Sequence, residues 1–227
     1  MMAMGLPLLT TFLDHYDMER AKLVVSECTA SVGGELPLSD REAAADLVLR
    51  SSRAALDPLL PALSYFDIAD TIAKSKLFRL LRPLPKGAAL HVHFDSLMPA
   101  SWFVSNATYE PDCHVCWPGA GGPTAFRFFS PGGRTPPGCA STKGWQPVAA
   151  LRTAAADRAA FDGAIEASLS MRPANHTRGA PAYASVDAAW AAFMPRFGLV
   201  AGLLFYEVIF RRYVAAALES FAAEQVR

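Results

Sequence analysis

The segment Lys86–Asp95 constrains the fold most, because it is a short strand candidate that follows a long stretch of helical periodicity. Pro85 and Gly87 interrupt the helical pattern, and an apolar run then leads to His91 and His93. Alternate residues of a strand point to the same face, so the two imidazoles are expected side by side. Neutral imidazole is a preferred zinc ligand, and a catalytic zinc takes three protein ligands. The spacing therefore predicts part of a metal site.

A carboxylate strengthens this interpretation, since Asp95 is expected on the same face as the two histidines. A buried strand that ends in two histidines and a carboxylate is typical of a (β/α)8 barrel, which presents its ligands at the C-terminal ends of its strands. His-x-His alone also occurs as surface or packed histidines, and that alternative stays open.

The N-terminal region, Asp17–Leu81, has apolar residues at helical spacing. Ser39 and Glu42 have the spacing of a capping box, which predicts a helix start, and Ile68–Leu81 is expected to form a further helix. By contrast, Pro111–Pro147 is dense in proline and glycine and is expected to be an irregular, cross-linked insert.

Helical periodicity returns after Val148, over Ala154–Met171, Val186–Phe197 and Leu203–Ala223. Six aromatic residues of the last two helices are predicted to pack in the core: Trp190, Phe193, Phe197, Phe205, Tyr206 and Phe210. Three charged residues there are expected to be solvated: Arg211, Arg212 and Glu219.

The cysteines allow two interpretations. Cys113–Cys116 reads Cys-His-Val-Cys, but a structural zinc site needs a second pair of ligands, and only Cys139 follows. A disulfide between Cys116 and Cys139 is therefore favoured, and Cys28 is expected to be a buried, unpaired thiol in a helix.

Two triplets match the N-glycosylation acceptor, at Asn106 and Asn175. Together with a disulfide they indicate an oxidising, secretory compartment, although two accidental matches in a cytosolic protein are the alternative. Met1–Leu13 is apolar like the core of a signal peptide, but it lacks a preceding basic residue and a small-residue cleavage site. A mis-started or truncated gene model explains it equally well.

Composition excludes several classes of protein. Lys plus Arg and Asp plus Glu both number 21, and this balance argues against a nucleic-acid binder. A hydrophobic content of 52% with 19% charged residues excludes a disordered chain. The apolar stretch Leu199–Phe210 is too short to span a bilayer and contains Glu207, so no membrane span is expected.

Leu84–Asp95 resembles the zinc-binding first strand of the adenosine/AMP deaminase superfamily. Further segments recur in the same order in the secreted adenosine deaminases, also called adenosine deaminase-related growth factors: Trp102–Val104, Asn106–Tyr109, Cys113–Cys116, Phe126–Phe128 and Cys139. The resemblance extends over nearly the whole chain from about Glu19.

The resemblance implies an α/β fold of the metal-dependent-hydrolase type, a (β/α)8 barrel of which only the first strand and first helices are present. Residues 1–85 would form a mainly helical dimerisation domain and residues 86–95 the first barrel strand. Residues 96–185 would form a disulfide-containing, receptor-binding insert, and residues 186–227 the first barrel helices.

The resemblance also implies roles for single residues. His91 and His93 would hold Zn²⁺, Asp95 would bind the substrate ribose, and Trp190 would line the purine pocket. Many secreted members carry Asp directly after the second histidine, where this chain has Phe94. The family disulfide falls on Cys116 and Cys139, and its glycosylated asparagine on Asn106.

The implied activity is zinc-dependent hydrolytic deamination of adenosine and deoxyadenosine to inosine and ammonia. The remaining zinc ligands and the catalytic glutamate and histidine would lie beyond Arg227, so we expect a truncated form that is itself inactive. The implied partners are an adenosine-type nucleoside, a second copy of the chain, and a cell-surface receptor or glycosaminoglycan, in a secreted protein. Two alternatives are a non-catalytic, secreted, dimeric binding module and another amidohydrolase-like metalloenzyme.

Overall fold

The computed structural model describes residues 6–31, 33, 36–119, 121–130, 132, 134, 136–173 and 176–226. Two compact units divide the chain, Met1–Ala55 and Leu56–Arg227. The five residues at the start of the signal-like segment lie outside the described residues.

Within its described residues, the first unit contains two helices, α1 (Leu6–Ala30) and α2 (Asp40–Ala54). The predicted capping box is confirmed, because Glu42 accepts a hydrogen bond of 2.8 Å from the Ser39 backbone N–H and the Ser39 hydroxyl caps α2 in return. Cys28 is an unpaired thiol in a helix, as predicted, but its predicted burial is wrong, since this thiol is exposed on α1. Helical spacing does not specify which face of a helix meets another element.

The second unit contains seven α-helices and three strands within the described residues. The helices are α3 (Tyr65–Lys74), α4 (Lys76–Leu81), α5 (Ala100–Asn106), α6 (Val148–Ala154), α7 (Arg158–Leu169), α8 (Val186–Leu204) and α9 (Glu207–Ala223), with 3-10 turns at Leu60–Ala62 and Phe94–Ser96. The strands are β1 (Cys113–Cys116), β2 (Ala125–Phe128) and β3 (Trp145–Pro147).

Two predicted helices are divided by side-chain caps. The helix expected over Ile68–Leu81 breaks at Ser75, whose hydroxyl accepts a 3.0 Å hydrogen bond from the Phe78 N–H and so begins α4. The helix expected over Ala154–Met171 begins later, at Arg158, because the carboxylate of Asp157 accepts from two backbone N–H groups and begins α7. Such caps compete locally with helix propagation, so periodicity alone overlooks them.

The insert is more regular than expected. Strands β2, β1 and β3 form an antiparallel sheet in that order, with Val115 opposite Phe126 on one side and Gln146 on the other. Here cross-strand pairing overrides the proline and glycine signals, because β1 is apolar and completely buried. The predicted disulfide is confirmed and joins Cys116 at the end of β1 to Cys139, with their Cα atoms 5.4 Å apart.

The core of this unit lies where the sheet meets α5, α7, α8 and α9. Helix α8 packs directly on β2, and Gly202 allows the close approach: a Cβ atom there would lie 2.3 Å from the carbonyl oxygen of Phe126. The predicted core role of the late aromatics is wrong for three of them, because Trp190 is 61% exposed, Phe205 is 71% exposed and Phe210 is 39% exposed. Helix α8 is instead buried through the aliphatic residues Leu199, Val200, Leu203 and Leu204.

A buried charge network joins α6, α7 and the end of α5. The Arg152 guanidinium donates to the Asp162 carboxylate at 2.8 Å and to the Thr108 hydroxyl at 2.6 Å, and it lies 3.8 Å from the centre of the Tyr109 ring. The Tyr109 hydroxyl donates to the same carboxylate at 2.8 Å, and this hydrogen bond raises the pKa of Tyr109. Every charge in the network therefore has a partner, as burial requires.

The prediction of a strand over residues 86–95 is wrong. Backbone up to His93 is without helix, and His93 is extended, but a 3-10 turn begins at Phe94. No strand of the described part of the chain pairs with this segment, and a strand forms only where a neighbour satisfies its hydrogen bonds. The barrel is accordingly not seen. The turn also ends the alternation that placed Asp95 on the face of the histidines.

Among the described residues, no single helix combines the length and apolar content needed to cross a bilayer. Helices α8 and α9 meet that requirement only as a pair and are bent by 107° at their junction.

Candidate metal and nucleoside site

The two histidines of the sequence motif do lie together. The ring centroids of His91 and His93 are 5.7 Å apart, with the rings tilted by 49°. Zn–N bonds of about 2.1 Å place each centroid roughly 3.2 Å from the metal, so two imidazoles at a tetrahedral angle have centroids about 5.2 Å apart. The observed separation of the two rings is therefore close to that of two imidazole ligands of one zinc ion.

Further ligands are not gathered around the pair. Both histidines are exposed, and the described residues include no group of three His, Cys, Asp or Glu side chains placed to hold a metal ion. Since a catalytic zinc takes three protein ligands, His91 and His93 supply part of such a site.

A largely apolar cavity of about 640 Å³ lies beside the pair, between the 92–97 segment and one face of α8. His93 and Trp190 both line this cavity, and Phe197 lies behind His93 with the ring centroids 6.5 Å apart. The structure thus brings together a predicted metal ligand and the predicted purine-pocket tryptophan. Phe197 was expected in the core, and its helical spacing from Trp190 and Phe193 is the signal that places all three on one face.

Asp95 faces a neighbouring, smaller cavity of about 210 Å³. Its carboxylate accepts a 3.3 Å hydrogen bond from the Ser96 hydroxyl, and Arg196 is a further lining residue of this cavity. Ser96, Phe193 and Phe197 line both cavities, so the predicted ribose ligand is adjacent to the tryptophan-lined space but not within it.

The Cys113–Cys116 zinc alternative finds no support in the geometry. Cys116 is bound in the disulfide, and burial raises the pKa of the Cys113 thiol to about 12, so this sulfur keeps its proton. His114 stacks on Phe129 with centroids 3.8 Å apart, and its Nδ1 lies 2.8 Å from the Asp112 carbonyl oxygen.

The glycosylation predictions stay predictions. Asn106 is the last residue of α5, where its side-chain amide donates to the Trp102 carbonyl at 2.9 Å. Asn175 lies outside the described residues.

Tyr213 is a buried residue near the site that the sequence patterns do not predict. Tyr213 of α9 lies beneath the turn that follows His93, and its hydroxyl contacts the backbone of that turn. More than a hundred residues separate the two, so no local pattern predicts the contact.

A helical N-terminal region followed by two neighbouring histidines beside a cavity of about 640 Å³ agrees with the deaminase family that the sequence resembles. The family model described as adenosine/AMP deaminase N-terminal matches residues 8–81. Adenosine deaminase 2 of Sus scrofa is 31% identical over 219 residues, which is 92% of this chain and 42% of that protein. Adenosine deaminase 2 of Homo sapiens is 29% identical over 92% of this chain, and the adenosine deaminase of Lutzomyia longipalpis is 30% identical over 94%.

These matches support the adenosine deaminase family, N-terminal part, for this chain. The chain spans about two fifths of the length of the curated relatives it matches (42% and 41% for the porcine and human proteins).

Proposed function

We propose that this chain contributes two metal ligands and part of the substrate pocket to a zinc-dependent adenosine deaminase. The observation that carries the proposal is the separation of 5.7 Å between the His91 and His93 rings, next to a cavity that His93 and Trp190 both line. The names of the matched relatives, which are adenosine deaminases, support the proposal further.

The two imidazoles would bind Zn²⁺ in their neutral form, each through a ring nitrogen. A zinc ion lowers the pKa of a coordinated water toward about 7 and so supplies the nucleophile for hydrolysis at neutral pH. The reaction adds water at C6 of the purine and releases the amino group as ammonia, which gives inosine.

The neighbouring side chains would hold the nucleoside. The half-exposed Trp190 ring offers a flat apolar surface on which a purine stacks. The Asp95 carboxylate can accept hydrogen bonds from ribose hydroxyl groups. Phe94, which replaces the acidic residue of many secreted members, packs against Phe210 and Tyr213 and contributes no polar contact to substrate.

The third ligand and the proton-transferring groups would come from polypeptide beyond Arg227. Because His91 and His93 are the only ligands we assign within the described residues, we expect this chain alone not to deaminate adenosine.

The disulfide and the acceptor triplet at Asn106 support secretion and glycosylation. The family likeness of the N-terminal helices supports a homodimer, and the sheet-containing insert is the candidate surface for a receptor or glycosaminoglycan. The non-catalytic binding module is less favoured, because the matched relatives are named as enzymes.

A chimera tests the proposal. In it, this chain replaces the aligned 42% of adenosine deaminase 2 of Sus scrofa, and conversion of adenosine to inosine is followed together with zinc content. We expect an active, zinc-containing chimera, and we expect His91→Ala and His93→Ala each to abolish activity and lower the zinc content.

His15→Ala is the matched control, because His15 is an exposed histidine in the other compact unit. A chimera that folds and is active but tolerates both substitutions at the motif would contradict the proposed role of the pair. A chimera that is inactive but forms a monodisperse dimer would favour the binding module.

A further inference from the structure

We propose that Tyr213 is a positioning residue for the metal-binding end of the His91–His93 segment; this inference rests on the function proposed above. The Tyr213 hydroxyl donates to the Phe94 carbonyl oxygen at 2.7 Å. It accepts hydrogen bonds from the backbone N–H groups of Leu97 at 2.8 Å and Met98 at 3.2 Å.

These three bonds use the whole hydrogen-bonding capacity of a phenol, one donor and two acceptor positions, on the backbone of a single turn. Burial raises the pKa of Tyr213, so the phenol keeps the proton that it donates to Phe94. The hydroxyl therefore binds both ends of the turn that begins at Phe94 and contains Asp95.

The ring of Tyr213 is itself held in place. It is completely buried, stacks on Phe103 with centroids 5.3 Å apart, and meets Trp102 edge-on at 5.3 Å. Phe94 closes the other side at 5.4 Å. A hydroxyl on such a fixed ring defines a position in space, which a flexible surface side chain does not.

The turn needs this support because strand pairing is absent from it. The described residues give the 86–93 segment no neighbouring strand. Its other anchor is also on the α9 side: the Lys86 backbone N–H donates to the Gln225 carbonyl at 2.9 Å, and Lys86 Nζ donates to the Glu224 carbonyl at 2.6 Å. Helix α9 and the residues after it thus hold both ends of the histidine segment, and Tyr213 holds the end next to His93.

Zinc binding to the 227-residue chain, measured by calorimetric titration with zinc chloride, tests the role. Tyr213→Phe removes only the hydroxyl and should weaken zinc binding by about tenfold, the lower end of what outer-shell partners of metal ligands contribute. His91→Ala combined with His93→Ala defines the background from other groups. Ile209→Val is the matched control, because Ile209 is a buried residue of the same helix and loses one methylene group without touching the turn.

A merely structural role predicts equal zinc affinity for the Tyr213→Phe and Ile209→Val proteins, and that result would overturn the inference while leaving the proposed function intact. Amide hydrogen exchange without zinc is the second readout: Leu97 and Met98 should lose protection in Tyr213→Phe and keep it in Ile209→Val. Unchanged protection would also overturn the inference. If the wild-type chain binds no more zinc than the double histidine variant, the positioning role is overturned, whereas the proposed function, which takes a third ligand from outside the described residues, is decided by the chimera.

Discussion

Replacing Gly202 by alanine tests how closely helix α8 packs against strand β2. The added Cβ atom would lie 2.3 Å from the Phe126 carbonyl oxygen and 3.0 Å from an Arg127 nitrogen. Ordinary contacts between such atoms are more than about 3 Å long, so the helix or the strand must move by roughly 1 Å. A clash with backbone cannot be relieved by rotating a side chain.

The magnitude follows from two opposing effects. Overpacking costs up to about 3 kcal/mol, whereas alanine is favoured over glycine inside a helix by about 1 kcal/mol. We therefore expect Gly202→Ala to lower the free energy of unfolding by about 2 kcal/mol. Gly198→Ala is the matched control one turn earlier in the same helix, where a Cβ atom meets nothing within 4 Å. That variant should gain up to about 1 kcal/mol.

Urea unfolding, monitored by tryptophan fluorescence with the disulfide intact, measures both variants against wild type. The expected gap between Gly198→Ala and Gly202→Ala is about 3 kcal/mol. Equal stability of the two variants would refute the close approach of α8 to β2 and with it the described packing of the core.

Three further predictions concern the second unit. Arg152→Met should lower the free energy of unfolding in urea by about 3 kcal/mol, because the mostly buried Asp162 carboxylate loses its counter-charge and keeps only the Tyr109 hydroxyl, whereas Arg211→Met at an exposed pair should change it by less than about 1 kcal/mol. Cys139→Ser should cost about 3 kcal/mol and make the urea midpoint insensitive to reductant; retained sensitivity would argue against the disulfide. The 2.7 Å hydrogen bond from His176 lowers the pKa of Asp67, so the stabilisation is complete above the ordinary pKa of the carboxyl and is lost as pH falls through the lower folded value. Asp67→Asn should flatten the loss of stability below about pH 4, and an unchanged acid profile would contradict this.

Local features of the fold were predictable where neighbouring residues determine them. The capping box of Ser39 and Glu42 needs only a spacing of three, and the structure has both of its hydrogen bonds. The disulfide was predictable because Cys139 is the one cysteine after the Cys113–Cys116 pair. The pairing of the sheet in the insert was missed, since strands that gain stability across a sheet leave little signal in a stretch rich in proline and glycine.

In the candidate site, too, local features were predictable and the others were not. The proximity of His91 and His93 follows from a spacing of two in extended backbone, and the ring separation of 5.7 Å agrees with it. Extending the same alternation to Asp95 failed, because a 3-10 turn begins at Phe94 and turns the carboxylate toward a second cavity. Alternation holds only as far as the backbone stays extended.

The sequence by itself determined that two imidazoles stand next to each other, that Ser39 begins a helix and that the insert is cross-linked, because these depend on residues close in the chain or on a very small set of cysteines. Only the tertiary structure decided that Trp190 and His93 line the same cavity and that the Tyr213 hydroxyl forms a hydrogen bond with the turn that follows His93. The partners in the second contact are 119 residues apart, and which distant surfaces meet depends on the packing of the whole core.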